Sequence, residues 1–346
     1  MRAAVYRGPG VIEIDERPAP EPGEGEALLR VEFCGICGTD LHEYESGRLF
    51  YGPARPSNTV FGHEFSARVV ALGPGAQGLA PGDLVTVNPA ENCQECSFCL
   101  AGDEQLCQRP RGALGYQRPG GLAEFTVAAA RRCVVLPPGT PADHAALSEP
   151  LAVALHAVNR AAVRPEETVL VTGAGPIGQL TILALRRAGV ARIIVSEPAA
   201  GRRERAQKLG VAAALDPSSE NVGAALKELT GGRGADVAFE CVGIAAAIDS
   251  CFAATRRGGR IVIAGVFQQP YPVDFARFTL AEHALIGSLG YREEFADAAA
   301  LIGAGAVDVA PVISHRIPLE RVPEAFAAIV RDRGAHEKVL VHPAGR

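Results

Sequence analysis

The sequence predicts an α/β protein in which a β-rich module is followed by a doubly wound parallel sheet, with the tail returning to the first module. Three observations carry that expectation. The first third alternates apolar and polar residues with a period of two, as in Ala27–Phe33 and Phe65–Leu72. Between these runs stand turn signals at Pro22-Gly23, Pro74-Gly75, Pro81-Gly82, Pro119-Gly120 and Pro138-Gly139. From about residue 143 the texture changes to short apolar strands alternating with helical periodicity, the pattern of a parallel sheet covered on both faces.

Taken in order, Ala145–Ala162 reads as a buried helix and Thr168–Val171 as a buried strand. A helix over Gly178–Ala188, a strand Arg192–Ser196, a helix Gly201–Leu209 and a strand Val237–Glu240 follow. A helix Ala246–Ala254 and strands near Arg260–Ala264 and Leu285–Leu289 complete the series. The tail holds helices at Phe295–Ile302 and Val322–Val330 and strands at Ser314–Ile317 and Lys338–Val341.

At 346 residues the chain is long enough for two domains. A net charge of −5 with no basic run leaves no electrostatic footprint for nucleic acid or an anionic membrane, so a small-molecule partner is expected. No apolar stretch reaches the length of a membrane span and the start lacks a signal-peptide core, so a cytoplasmic location is expected. In that setting the nine cysteines read as metal or thiol chemistry.

Cys93, Cys96, Cys99 and Cys107 form a Cys-x2-Cys-x2-Cys-x7-Cys set in a loop-like stretch of about 91–110, matching the closed tetrahedral sphere of a structural zinc. The competing reading, an iron–sulfur cluster, lacks the Cys-Pro continuation of the related ferredoxin spacing. A second constellation is spread along the chain. Cys37, His63, Glu64 and Glu149 offer a thiolate, an imidazole and two carboxylates, mixed ligation that suits a catalytic zinc with one open position. Thr39 and His42 lie close to Cys37.

The third motif is Gly173-Ala174-Gly175-Pro176-Ile177-Gly178, directly after one strand and opening a helix. Gly173 permits the tight turn, Gly175 the approach of a pyrophosphate, and Gly178 close helix–strand packing. Glu197 stands 19 residues after Gly178 at the end of the next strand, where a carboxylate binds ribose hydroxyls and repels a 2′-phosphate, favouring NAD over NADP. Arg202 and Arg203 follow closely and offer a place for a phosphate or a solvated helix face. Cys34, Cys133, Cys241 and Cys251 sit among apolar neighbours and read as core residues. His156 reads as structural, and Phe50, Tyr51 and Tyr116 as candidate pocket walls.

These three motifs, in this order, resemble the zinc-dependent medium-chain dehydrogenase/reductase family over essentially the whole chain. The segments Cys37–Tyr44, Gly62–Phe65 and Ser148–Val153 are most similar to its 2,3-butanediol and polyol (sorbitol-type) dehydrogenase branch. Simple alcohol dehydrogenases of the family carry a cysteine ligand at the position of Glu149, and threonine dehydrogenases an Asp-Pro-type sequence. The resemblance implies a GroES-like irregular β-barrel domain over 1–154 and 292–346, with a Rossmann NAD-binding domain over 155–291. It implies two zinc ions per chain, Cys37 and His63 binding the catalytic one and Glu64 and Glu149 sharing the carboxylate role. Thr39 would take the proton of the substrate hydroxyl and His42 pass it on, with zinc as Lewis acid and the nicotinamide as hydride acceptor. Cys241, Val242 and Val266 would line the cofactor site. The activity implied is oxidation of a small secondary alcohol or vicinal diol, 2,3-butanediol/acetoin first and a sugar alcohol second, by a homodimer or homotetramer. The reading from a different class, a catalytically silent NAD-binding protein, would have lost zinc or relay residues that this chain retains.

Overall fold

The computed structural model describes residues 1–49 and 53–345, so Phe50 and Tyr51 lie outside the described residues. The chain forms two compact units, Met1–Glu149 with Phe295–Arg346, and Pro150–Glu294.

In the first unit, strand Glu26–Gly35 is the organiser. It pairs antiparallel with Glu64–Leu72, with Phe125–Ala129 and with Lys338–His342. Leu84–Val87 and Cys133–Val135 extend the sheet beyond Glu64–Leu72, and Ile313–Pro318 extends it beyond Lys338–His342. A smaller sheet joins Arg2–Gly8 to Val11–Glu16 and Thr59–Val60. Along Glu26–Gly35 the residues Ala27, Leu29 and Val31 are buried while Arg30 is exposed, as the period of two requires. A register shift between Val31 and Phe33 then breaks the alternation, and Cys34 and Gly35 are both buried. That shift brings Gly35 opposite Glu64 and leads the chain into Ile36-Cys37. The core gathers Tyr6, Leu29, Phe61, Phe65 and Phe326.

The second unit is a six-stranded parallel sheet in the order Ala213–Leu215, Arg192–Ser196, Thr168–Thr172, Ala235–Glu240, Thr255–Ile263, Ala284–Gly287. The strand order reverses beside Thr168–Thr172, the place where open α/β sheets bind ligands. Strand Ala213–Leu215 and helices Val222–Leu229 and Phe275–Ala281 are additions to the elements expected from periodicity.

The single helix expected over Ala145–Ala162 is two, Ala142–Ala145 and Ser148–Ala161. Pro150 is the reason: it has no N–H for the carbonyl of Ala146, so a helix cannot run through it, yet it fits the first turn of a new one. Cys34 and Cys251 are fully buried; Cys133 and Cys241 are partly so. His156 Nδ1 meets Glu294 Oε1 at 3.1 Å, and Asn159 Nδ2 donates to the same oxygen at 3.0 Å. Burial opposes the charge of Glu294, but these two partners and the Arg292 N–H hold its pKa down at about 2. Among the described residues no helix is long and apolar enough to cross a membrane.

Candidate active site and metal centres

Helix Gly38–Ser46 begins at Cys37, whose extended backbone serves as its N-cap. Asp40 Oδ2 accepts the Cys37 backbone N–H at 3.0 Å and fixes that first turn. Thr39 is therefore the second helical residue and free of a capping duty, and its Oγ1 lies 3.1 Å from the Tyr116 hydroxyl. His42 follows one turn on and is half-buried. Burial, with the charge of Arg333, lowers its pKa below the ordinary value of 6.5, so it is neutral and able to accept a proton near pH 7.

The Cys37, His63 and Glu64 ligand atoms all lie within 4.8 Å of one another, a spacing that one metal ion can bridge. His63 Nδ1 stands 3.4 Å from Asp40 Oδ1. Neither atom has another hydrogen-bond partner among the described residues, which leaves this carboxylate as the neighbour that orients the imidazole. Burial works against a proton on His63, but Tyr116, Asp40 and Cys37 raise its pKa well above 6.5. The same negative field that holds a proton there attracts a cation.

Glu64 is held from behind. Lys338 Nζ donates to its Oε1 at 2.8 Å and Oε2 at 2.6 Å and to the Ile36 carbonyl at 3.2 Å, and the pair is almost wholly buried. Burial would strip Lys338 of its proton, but Glu64 first and Cys37 next keep its pKa raised. A carboxylate has about four lone-pair sites, so this clamp leaves room for a metal on Glu64. Gly35 makes the clamp possible: a Cβ there would lie 2.2 Å from Glu64 Oε2. Glu149, in the first turn of helix Ser148–Ala161, is buried and stands outside the converging trio, near enough to contribute to the raised pKa of Lys338.

Cys93, Cys96, Cys99 and Cys107 form the second cluster, their sulfurs all within 4.8 Å of one another and three of the separations at 3.5 to 3.8 Å. Backbone N–H groups lower Cys96 to about 6, whereas burial pushes Cys99 up to about 12. Such a set loses its remaining protons when a cation compensates the charge. The backbone N–H groups of Cys93 and Cys96 point at Cys107 Sγ and Cys93 Sγ, each at 3.4 Å, the usual support for bound thiolates.

In the second unit Gly173 has φ +86° and Gly175 caps helix Pro176–Arg187. A side chain on Gly178 would meet Gly173 O at 2.0 Å, so only glycine lets the helix close on the turn. Glu197 accepts the Ala174 N–H at 2.8 Å and the Ala199 N–H at 2.9 Å, which sets its carboxylate beside the glycine turn. Arg202 lies next to Gly175, with its guanidinium 3.4 Å from where a Cβ would stand. Arg203 donates to Glu197 O and Pro198 O and pairs with Asp216, so it is not the solvated helix face that the sequence allowed. Val242 Cγ2 would lie 2.5 Å from a Cβ on Gly173, and Val266 O 2.3 Å from one on Gly243. Gly173, Val242 and Val266 thus converge, with Cys241 beside them.

Residues 23–138 match the model of the alcohol dehydrogenase GroES-like domain and residues 176–304 that of the zinc-binding dehydrogenases. The 2-dehydro-3-deoxy-L-galactonate 5-dehydrogenase of Pseudoalteromonas atlantica is 37% identical over 94% of each chain. The chain belongs to the zinc-dependent medium-chain dehydrogenase family. The (R,R)-butanediol dehydrogenase of Neisseria gonorrhoeae is 32% identical over 99% of both chains. A Sinorhizobium meliloti structure described as a zinc-binding dehydrogenase bound to NADP superposes with a TM-score of 0.91 at 32% identity, covering 99% of each chain. This dehydrogenase is accordingly a zinc-dependent alcohol oxidoreductase with GroES-like and Rossmann-type domains.

Sequence reasoning missed Lys338 and Asp40 in the dehydrogenase and left Tyr116 unplaced. Lys338 had a signal: it is one of three lysines in an arginine-rich chain and heads the apolar run Val339-Leu340-Val341.

Proposed function

We infer that the enzyme oxidises a small secondary alcohol bearing a neighbouring hydroxyl, with NAD as hydride acceptor, and that 2,3-butanediol is its simplest substrate. The observation that carries this reading is the convergence of Cys37, His63 and Glu64 beside Thr39, with glutamate at position 149 as in the polyol branch. Cys37, His63 and Glu64, with Glu149 as the alternative carboxylate, would hold a catalytic zinc, and the four-cysteine lobe a structural one. When bound, zinc supplies a Lewis acid for the substrate oxygen and NAD takes the hydride from the carbinol carbon.

The chain's own residues handle the proton and the positions. Thr39 Oγ1 accepts the hydroxyl proton, and the neutral His42 imidazole carries it toward solvent. Loss of one hydride and one proton turns the alcohol into a ketone. The Gly173–Gly178 turn, with Pro176 and Ile177 opening its helix, would cradle the pyrophosphate; Cys241, Val242 and Val266 would form cofactor walls. Glu197 favours NAD, because its carboxylate repels a 2′-phosphate and Arg203 is already engaged with Asp216 and backbone carbonyls. Arg202, beside Gly175, remains the residue through which NADP, the cofactor bound in the Sinorhizobium meliloti structure, would be accommodated. A sugar-alcohol or sugar-acid substrate is the second reading, favoured by the 37% identity to a galactonate-type dehydrogenase.

A homo-oligomer is part of the proposal, joined through strand Ala284–Gly287, which ends the parallel sheet. Initial rates with NAD and NADP on 2,3-butanediol, sorbitol, xylitol and threonine, before and after chelation, test the whole reading. NAD-dependent oxidation that peaks on the diol and stops on chelation is expected. A peak on sorbitol or xylitol moves the assignment to the second reading, and equal rates with NADP overturn the role given to Glu197.

A further inference from the structure

Tyr116 is half-buried and its hydroxyl touches two groups of the site, Thr39 Oγ1 at 3.1 Å and His63 Nε2 at 3.3 Å. Its ring lies over the His63 imidazole with centroids 4.7 Å apart. The loop that carries it is held firmly. Arg55, buried, ion-paired with Glu43 and stacked 3.7 Å over Phe61, donates to the Gly115 carbonyl at 2.8 Å. Gly115 itself has φ +82° and packs where a Cβ would lie 2.7 Å from the Gly62 carbonyl carbon. The tyrosine hydroxyl is therefore fixed relative to Thr39 by backbone as well as by hydrogen bonds.

A phenol has one proton to donate, and the two neighbours within reach of it are His63 Nε2 and Thr39 Oγ1. A metal held through Nε2 would leave that nitrogen no lone pair with which to accept it. Thr39 is a poorer partner, because in the proposed reaction its oxygen already accepts from the reacting hydroxyl and keeps only one further lone pair. The Tyr116 proton then needs another acceptor within reach, and leaving it without one at a half-buried position carries a penalty. The two oxygens of a vicinal diol in its gauche form stand about one hydrogen-bond length apart. With the reacting oxygen on Thr39, the neighbouring oxygen falls within reach of a hydroxyl that is itself one hydrogen-bond length from Thr39.

We propose that the Tyr116 hydroxyl donates to the oxygen on the carbon next to the reacting one, and so selects vicinal diols and α-hydroxyketones over simple secondary alcohols and ketones. This rests on the reading of the site as a diol dehydrogenase and names the residue that recognises the second oxygen. A simple alcohol would leave the tyrosine proton without its substrate partner, the asymmetry that lets a polar site reject an analogue lacking one hydroxyl.

The test compares wild-type holoenzyme and Tyr116→Phe on 2,3-butanediol and 2-butanol. The ratio of the two kcat/KM values cancels effects on the chemistry common to both alcohols. Loss of one neutral hydrogen bond predicts that the diol preference falls about tenfold in the variant. The binding of acetoin relative to 2-butanone on the enzyme–NADH complex, followed by NADH fluorescence, is expected to fall in parallel, with zinc content equal to wild type. An unchanged ratio overturns the proposal, and so does loss of zinc from the variant, which would make Tyr116 a support for His63. Wild type supplies a measurement independent of the variant's folding: equal kcat/KM on the diol and on 2-butanol also overturns it. A wild type silent on both alcohols overturns the diol-dehydrogenase reading, and this assignment with it.

Discussion

Glu64 faces two partners of opposite demand, a candidate metal site on one side and the Lys338 ammonium on the other, in a region that water scarcely reaches. Two buried charges lose solvation, and their mutual attraction compensates only while both are present. Removing one partner alone leaves a buried charge without compensation. Lys338→Met is thus expected to lower unfolding free energy by about 3–5 kcal/mol, and the Glu64→Gln/Lys338→Met double variant to recover most of it. Chemical denaturation of the four proteins of the cycle checks this; additive losses would mean that the pair has no coupling. The sequence shows why this contact was hard to foresee. Gly62-His63-Glu64 is a local motif whose chemistry can be read in place, whereas its lysine comes 274 residues later. Only the pairing of strand Glu26–Gly35 with both Glu64–Leu72 and Lys338–His342 brings them together.

Elements were legible where their signal was local and missed where packing decided them. The parallel strands and the helix after Gly175 follow from short apolar runs, a glycine turn and a proline in the first helical turn. Helix Phe275–Ala281 has no buried residue among its seven, so there is no apolar face for periodicity to detect. The cysteine lobe is the opposite case, since four ligands within 15 residues of sequence fix its chemistry with little help from elsewhere. It carries only short elements, helix Ser97–Leu100 and a helical turn at Glu104–Leu106, so its order depends on what joins its thiols. Cys99→Ser is expected to lower bound zinc by one ion per chain and to open the segment to limited proteolysis. Metal analysis and peptide mapping measure both; full zinc content in the variant would show that this cluster is not a zinc site.

At the scale of the whole molecule, the motifs that carry chemistry were readable because each is held in a few consecutive residues, but assembly depends on surfaces that no motif marks. Strand Ala284–Gly287 pairs on one side with Thr255–Ile263, and among the described residues no strand pairs with its other side. Leu285 on it and Leu289 just after it are about half exposed, and Phe275 and Leu280 on the preceding helix are more than 70% exposed. An open edge with apolar neighbours invites uncontrolled pairing unless it is covered, and proteins that leave such edges bare usually guard them with charge or proline. This edge has neither within Ala284–Gly287. A second copy related by a two-fold axis would continue the sheet through the same strand and cover the same side chains on both chains, the self-complementary geometry of a dimer. Leu285→Lys places a charge in that junction. The expected outcome is an assembly of half the wild-type mass or less by light scattering, with the secondary structure of each chain unchanged by circular dichroism. A variant that keeps the wild-type mass, or a wild type that is already a monomer, would show that the edge is not the joint.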